Sequence, residues 1–263
     1  MFKLGWFSTG RDEAARWLLK TVFDRIAEGF IPAQIAYVFV SRSPGESLES
    51  DLFFDLCKDL GLQTVYLSAK EFEPELRVRD RETWREEYHR EVLERLPEEV
   101  ELVVLAGYMW VVSAEMCDKL PMLNLHPALP GGPKGTWQEV IWQLISARAA
   151  ETGVMMHRVT PVLDEGPPVT FCRFSIRTDP FRPLWEACEE KLLRYGLTTL
   201  VQKEGDSEPL LRRIREEGVK RELPLIVYTL KAFAEGEIDW QTPELPLDLS
   251  VRIERHLETG AWV

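Results

Sequence analysis

The 263 residues, 45% hydrophobic and 29% charged, have ordinary globular composition and enough length for one large α/β domain, or one domain with an appendage, around a buried core. A formal net charge of -12 repels polyanions, and no run of Lys/Arg suggests a basic groove, so nucleic acid is a poor default partner. No window approaches the roughly 20 apolar residues that span a bilayer, the opening MFKLGWFSTGRDEA lacks a signal-peptide plan, and Cys57, Cys117, Cys172 and Cys188 form neither a zinc motif nor a disulfide framework; a cytoplasmic, metal-free protein off the membrane is expected.

In chain order, near-continuous apolar runs bounded by turn residues recur at 3–8, 35–41, 64–68, 101–107 and 122–125, as suits parallel strands covered on both faces. Helical patterning lies between them at 11–29, 48–60, 80–96, 113–119 and 136–150. The alternation implies βαβ crossovers, and hence an α/β fold with an open, mostly parallel twisted sheet and helices on both faces. After residue 152, GVMMHRVT and PPVTFCRFSI are separated only by PVLDEG and predict neighbouring antiparallel strands at the sheet's edge. A helix from 183 to about 203, a break at GDSEP, two helices within 207–236 and a short terminal strand at GEIDW complete the pattern. Residues 1–203 read as a catalytic domain, and 204–263 as a helical extension or a cap of the same domain.

The fifth apolar run ends in Asn124 and His126, followed by a loop dense in Pro and Gly. Side chains at i and i+2 of a strand project to one face, and ligands of parallel sheets bind beyond the carboxyl ends of the strands. An amide and an imidazole there suit a carbonyl oxygen that gains negative charge during acyl-type transfer. The plain alternative is a His that caps its own loop beside an Asn that satisfies turn backbone. Asp164, in TPVLDEGPPVTF, is a turn former by type, yet a carboxylate facing Asn124 and His126 can take the proton that an attacking amine must lose. Ser8, Thr9, Gly10 and Arg11 form a strand-to-helix turn of the kind that binds anions, although Asp12 and Glu13 already supply carboxylates to the positive helix end. Trp110, Trp137 and Trp142 cluster in sequence near this cleft, where one or two can stack on a flat heterocycle. His89, in a charged helical segment, reads as solvated, and His256 lies in a polar setting near the end.

VVLAGYMWVVS, LNLHPALP and TGVMMHRVTPVLDEGPPV together resemble the signature stretches of the folate-dependent formyltransferases, most closely the phosphoribosylglycinamide formyltransferase branch, over residues 3 to about 200. The resemblance implies a Rossmann-like formyltransferase fold, an enzyme of the formyl- and hydroxymethyl-transferase class, and 10-formyltetrahydrofolate as co-substrate without a metal. It implies catalytic roles for Asn124, His126 and Asp164, with Met109, Trp110, Val111, Val112, Leu105, Gly107, Val162, Leu163 and Gly166 lining the folate pocket. Arg81 corresponds to a contact with the folate's acidic tail, His157 to a supporting histidine, and Ser8 to Arg11 to the turn that meets the amine substrate. Three departures stand out: STGRDEA replaces a glycine-rich first turn, ALPGGPKGT replaces the usual loop after the histidine, and Trp110 stands where an arginine is usual.

The expected function is therefore formyl transfer from 10-formyltetrahydrofolate to a small-molecule amine, with glycinamide ribonucleotide the first candidate and a role in purine biosynthesis. The alternatives are a formyl-folate hydrolase, in which water replaces the amine, and a folate- or nucleotide-binding protein without turnover. A transfer-RNA acceptor fits less well because residues 201–263 are mixed in charge rather than basic. The oligomeric state stays open, a homodimer among the options.

Overall fold

The computed structural model describes residues 1–241 and 245–262. The elements in chain order are β1 (Phe2–Ser8), α1 (Glu13–Ala27), β2 (Ala33–Val40), α2 (Leu48–Asp59), β3 (Thr64–Tyr66), α3 (Pro74–Arg79), α4 (Arg81–Arg95), β4 (Leu102–Leu105), α5 (Ala114–Lys119), β5 (Met122–His126) and α6 (Trp137–Ser146). They continue as β6 (Glu151–Arg158), β7 (Pro168–Ser175), α7 (Arg182–Tyr195), α8 (Leu197–Glu204), a short 3-10 turn, α9 (Pro209–Ala234), β8 (Leu247–Asp248) and α10 (Ser250–Thr259). The strand order is β3-β2-β1-β4-β5-β6-β7-β8. This is the α/β class with an open, mostly parallel sheet that the alternating pattern predicts.

By internal contacts the chain divides into two compact units. The first comprises Met1–Asn124, His157–Pro167 and Thr229–Pro243; the second comprises Leu125–Met156, Pro168–Tyr228 and Glu244–Val263. In the first, β1 lies between β2 and β4, both parallel to it, and β3 pairs with β2. Val103–Leu105 of β4 run parallel to Met122–Asn124 of β5. The buried run of β1 and the fully buried β4 account for this centre, because interior parallel strands have no solvent face. Phe7, Tyr37, Phe39, Trp84, Tyr88 and Val92 belong to its core cluster.

In the second unit, a reciprocal capping box between Thr136 and Glu139 opens α6. Ile141, Ile145, Phe174, Ile176, Trp185 and Leu211 belong to the core of this unit. Arg221, only 7% exposed, forms a fork with Glu254, Nε to Oε1 at 2.7 Å and Nη2 to Oε2 at 3.1 Å, and so joins α9 to α10.

Four local expectations are corrected. The strand at β7 is not the edge, because Thr170 and Phe171 pair in parallel with Leu247 and Asp248 of β8. GEIDW is not a strand: Gly236 adopts φ 76, and the amides of Glu237 and Ile238 turn back onto the Ala232 carbonyl at 2.8 and 3.2 Å, so the segment ends α9 instead. The expected pair of helices over 207–236 is one helix, since Leu223, Leu225, Ile226, Val227 and Tyr228 around Pro224 are all buried and their packing outweighs the one lost amide donor. The expected single helix from 183 to 203 is two, divided at Gly196 with φ 74.

Among the described residues no helix is long and apolar enough to cross a membrane, and no group of three or more His, Cys, Asp or Glu side chains is placed to hold a metal ion. The four cysteines are free thiols, and burial pushes Cys57, Cys172 and Cys188 up to about 12.

Candidate active site

At the carboxyl end of β4 the chain turns through Gly107, whose φ of 72 favours glycine, into the segment Tyr108 to Val112. The end of β1 holds this turn. The Thr9 amide donates to the Gly107 carbonyl at 3.0 Å, and the Met109 amide donates to Thr9 Oγ1 at 3.1 Å. Thr9 Oγ1 also lies 3.0 Å from Ser41 Oγ, and the Gly10 amide donates to Ser8 Oγ at 3.1 Å. Asp12 caps α1 by accepting from the Ala15 amide at 3.0 Å and pairs with Arg11. The hydroxyls of the first turn are thus engaged within the scaffold, and a carboxylate stands at its helix end.

Beside this segment, Leu105, Tyr108, Trp110, Val111, Val112, Asn124, His157, Val159, Thr160, Leu163 and Asp164 line a pocket of ≈ 390 Å³, open to solvent. Its walls are apolar, and its polar groups are few and of complementary kinds: an amide, a carboxylate, an imidazole and the Thr160 hydroxyl. Such a lining suits a small organic ligand with one reacting end. Trp110 packs against Trp84 with ring centroids 5.2 Å apart, and the Arg77 guanidinium lies 6.0 Å from the Trp110 ring.

Asp164 reaches the pocket from a strained turn. Its φ of 55 is left-handed, a conformation that Asp tolerates better than most residues, and its side chain is 11% exposed. Asp164 Oδ1 lies 3.7 Å from His157 Nε2, while His157 Nδ1 lies 2.9 Å from the Arg158 carbonyl. A proton on Nδ1 directed at that carbonyl leaves Nε2 to face the carboxylate, so the pair can share a proton taken up from a ligand.

Gly166 makes this turn possible. A Cβ there would lie 1.6 Å from the Arg158 carbonyl oxygen and 3.3 Å from His157 Nδ1. The obstacle is backbone, so no rotamer change relieves it. Gly166→Ala is expected to destabilise by about 1–3 kcal/mol or more, as overpacking does, and to displace the segment that carries His157 and Asp164. Urea unfolding midpoints together with turnover would check this; unchanged values for both would refute the close approach.

The pocket brings together eight of the residues singled out from sequence: Asn124, Asp164, His157, Leu105, Trp110, Val111, Val112 and Leu163. Gly107 and Gly166 shape its turns, whereas Met109 and Val162 are 52% and 56% exposed and Arg81 is exposed on α4; none of these five is among the lining residues. Ser8, Thr9, Gly10 and Arg11 also lie outside the lining and meet it only through the turn at Gly107 and Met109. His126 belongs to the second unit, where it is 2% exposed with Nε2 3.0 Å from the Pro133 carbonyl, a bond within its own following loop.

Residues 58–180, which include Asn124, His126 and Asp164 but not the first turn, match the family model described as Formyl transferase. Over that segment the chain is similar to formyl transferases. It is 29% identical over 195 residues to a phosphoribosylglycinamide formyltransferase of Schizosaccharomyces pombe, covering 70% of this chain and 88% of that one. It is 28% identical over 214 residues to a methionyl-tRNA formyltransferase of Neisseria meningitidis serogroup C, covering 80% of this chain and 66% of that one. Two solved structures share its fold: glycinamide ribonucleotide transformylase 1 from Symbiobacterium toebii, with TM-score 0.60, 20% identity and 94% of both chains covered, and a Coxiella burnetii phosphoribosylglycinamide formyltransferase, with TM-score 0.61, 17% identity and 95% and 94% covered.

Three lining residues, Tyr108, Val159 and Thr160, were not singled out from sequence. Tyr108 sits inside the GYMW stretch already singled out, and Val159 continues the alternation of β6, so both were within reach of pattern alone. His89 is a correction. It is fully buried rather than solvated, in a helix whose Trp84, Tyr88 and Val92 recur at four-residue spacing on the core side. Position 89 lies three residues before Val92, which places it on the same face, and burial pushes its imidazole down to about 4.

Proposed function

We propose that this protein is a formyltransferase that uses 10-formyltetrahydrofolate as donor and a small-molecule primary amine as acceptor, with glycinamide ribonucleotide the first candidate. The observation that carries the reading is the shared pocket of Asn124 and Asp164, with His157 beside the carboxylate. The amine nitrogen attacks the formyl carbon, and the Asn124 amide donates to the formyl oxygen as it gains charge. Asp164 accepts the proton that the amine loses, with His157 stabilising the proton-bearing state. The bond from the formyl carbon to the folate nitrogen then breaks, that nitrogen recovers a proton, and the new amide leaves. The apolar walls around Trp110, Val111 and Val112 suit a flat donor ring. The relatives support formyl transfer by name: one set is named for phosphoribosylglycinamide, a small-molecule acceptor, and the other for methionyl-tRNA.

The test is an acceptor screen with 10-formyltetrahydrofolate, following deformylated folate by absorbance and beginning with glycinamide ribonucleotide. Transfer to an amine that disappears in Asn124→Ala, by about 10²- to 10³-fold in kcat, is expected for loss of one oxyanion donor. Formate release at the same rate without any amine would replace transfer by hydrolysis. Donor binding without turnover across the panel would overturn the enzymatic reading.

A further inference from the structure

One buried group in the first unit has no part in the proposed chemistry, yet touches both ends of a pocket wall. His89, on α4, is 0% exposed. Its Nε2 lies 3.0 Å from the hydroxyl of Tyr108, the first residue of the segment after Gly107. Its Nδ1 lies 2.9 Å from the Arg85 carbonyl and 3.2 Å from the Ser113 amide, which is the last residue before α5. Ser113 in turn caps α5, its Oγ accepting from the Met116 amide at 3.3 Å. Between Tyr108 and Ser113 lie Trp110, Val111 and Val112, which line the pocket. A single imidazole therefore spans a segment that has no ladder or helix bonds of its own.

One neutral tautomer completes the span. With the proton on Nδ1, that nitrogen donates to Arg85 and a bare Nε2 accepts from the Tyr108 hydroxyl, but the Ser113 amide then meets no acceptor on the ring. With the proton on Nε2, that nitrogen donates to the Tyr108 oxygen and Nδ1 accepts from the Ser113 amide. The Tyr108 ring is fixed besides, edge-on to Phe7 at 5.8 Å and tilted to Phe39 at 6.3 Å. The hydroxyl is thus held where the imidazole meets it.

We infer that His89 is a positioning residue: it clamps the segment 108–113 through Tyr108 and Ser113 and so sets the shape of the wall against which the formyl donor binds. The consequence for donor binding rests on the function proposed above; the clamp itself does not. Tyr108→Phe removes only the hydroxyl and keeps the packed ring, His89→Leu removes both polar ends, and His89→Gln keeps an amide near the place of Nε2. With 10-formyltetrahydrofolate as the probe, Tyr108→Phe and His89→Leu are expected to raise the donor KM about tenfold, the equivalent of one hydrogen bond, while kcat stays within about threefold. His89→Gln is expected to restore the KM.

Hydrogen exchange of the unliganded protein supplies the second measurement. The amides of 109–113 should exchange faster in Tyr108→Phe and His89→Leu, and return towards the wild-type rate in His89→Gln, with the strands β1 and β4 unaltered. Unchanged exchange in Tyr108→Phe would overturn the clamp even if His89→Leu fails to fold. Faster exchange with an unchanged donor KM would overturn its bearing on the donor. A wild-type protein that neither binds nor turns over 10-formyltetrahydrofolate would sink the functional reading, while the exchange data would still decide the clamp.

Discussion

Asp164→Asn should lower kcat for formyl transfer by about 10²- to 10⁴-fold, the range that a positioned general base contributes. The substitution is chosen for its conformation. Residue 164 has φ 55, and Asn adopts the left-handed region at least as readily as Asp, whereas a β-branched residue would strain the turn. Asn keeps the size and some hydrogen bonding but cannot accept a proton at neutral pH, so the backbone at Gly166 and the position of His157 are preserved while the proposed chemistry is removed. Single-turnover kinetics with a saturating amine, alongside a melting curve, would separate the two effects. A variant that melts within a few degrees of wild type and turns over at the wild-type rate would show that the carboxylate takes no proton in the reaction.

Acid should destabilise this protein through His89. Desolvation holds the imidazole at about 4, against 6.5 for a free side chain, and the neighbouring Arg85 charge pushes in the same direction. The folded protein keeps His89 neutral, while the unfolded chain binds a proton there below about 6.5. Stability from this source is therefore complete above that value, declines as the pH falls, and levels off once the folded group also titrates near 4. The loss amounts to about 3 kcal/mol, at 1.36 kcal/mol per pKa unit. Urea unfolding at a series of pH values would measure it, with His89→Gln as the control because glutamine does not titrate. The wild-type curve should fall more steeply than the variant's between those limits, and parallel curves would show that the imidazole is not held neutral.

Much of the first unit was legible before any coordinates. Its strands are nearly unbroken apolar runs, its helices begin at Asp12, Ser47, Asp80 and Ser113, whose side chains each cap the first turn, and its glycines mark turns. The residues of the β4 and Asp164 segments were also legible as groups, because turn chemistry and polar residues at strand ends are local signals. The end of the chain was harder. Leu247 and Asp248 are a two-residue strand that exists only because β7 offers an edge, and the 26-residue α9 runs through Pro224 because its neighbours are buried on every side.

Sequence by itself determined the α/β class, the alternation of strands and helices, and the likeness to formyl transferases, since hydrophobic periodicity and short motifs are written locally. Only the tertiary structure decided which of the marked residues share a pocket: Asn124, Trp110 and Asp164 do, while Met109, Val162 and Arg81 do not line it. It alone revealed that the imidazole at 89 is buried against Tyr108, although the helix around it is mostly charged. The reason is that burial and hydrogen-bond partnership depend on which surfaces pack together, and that is a property of segments far apart along the chain.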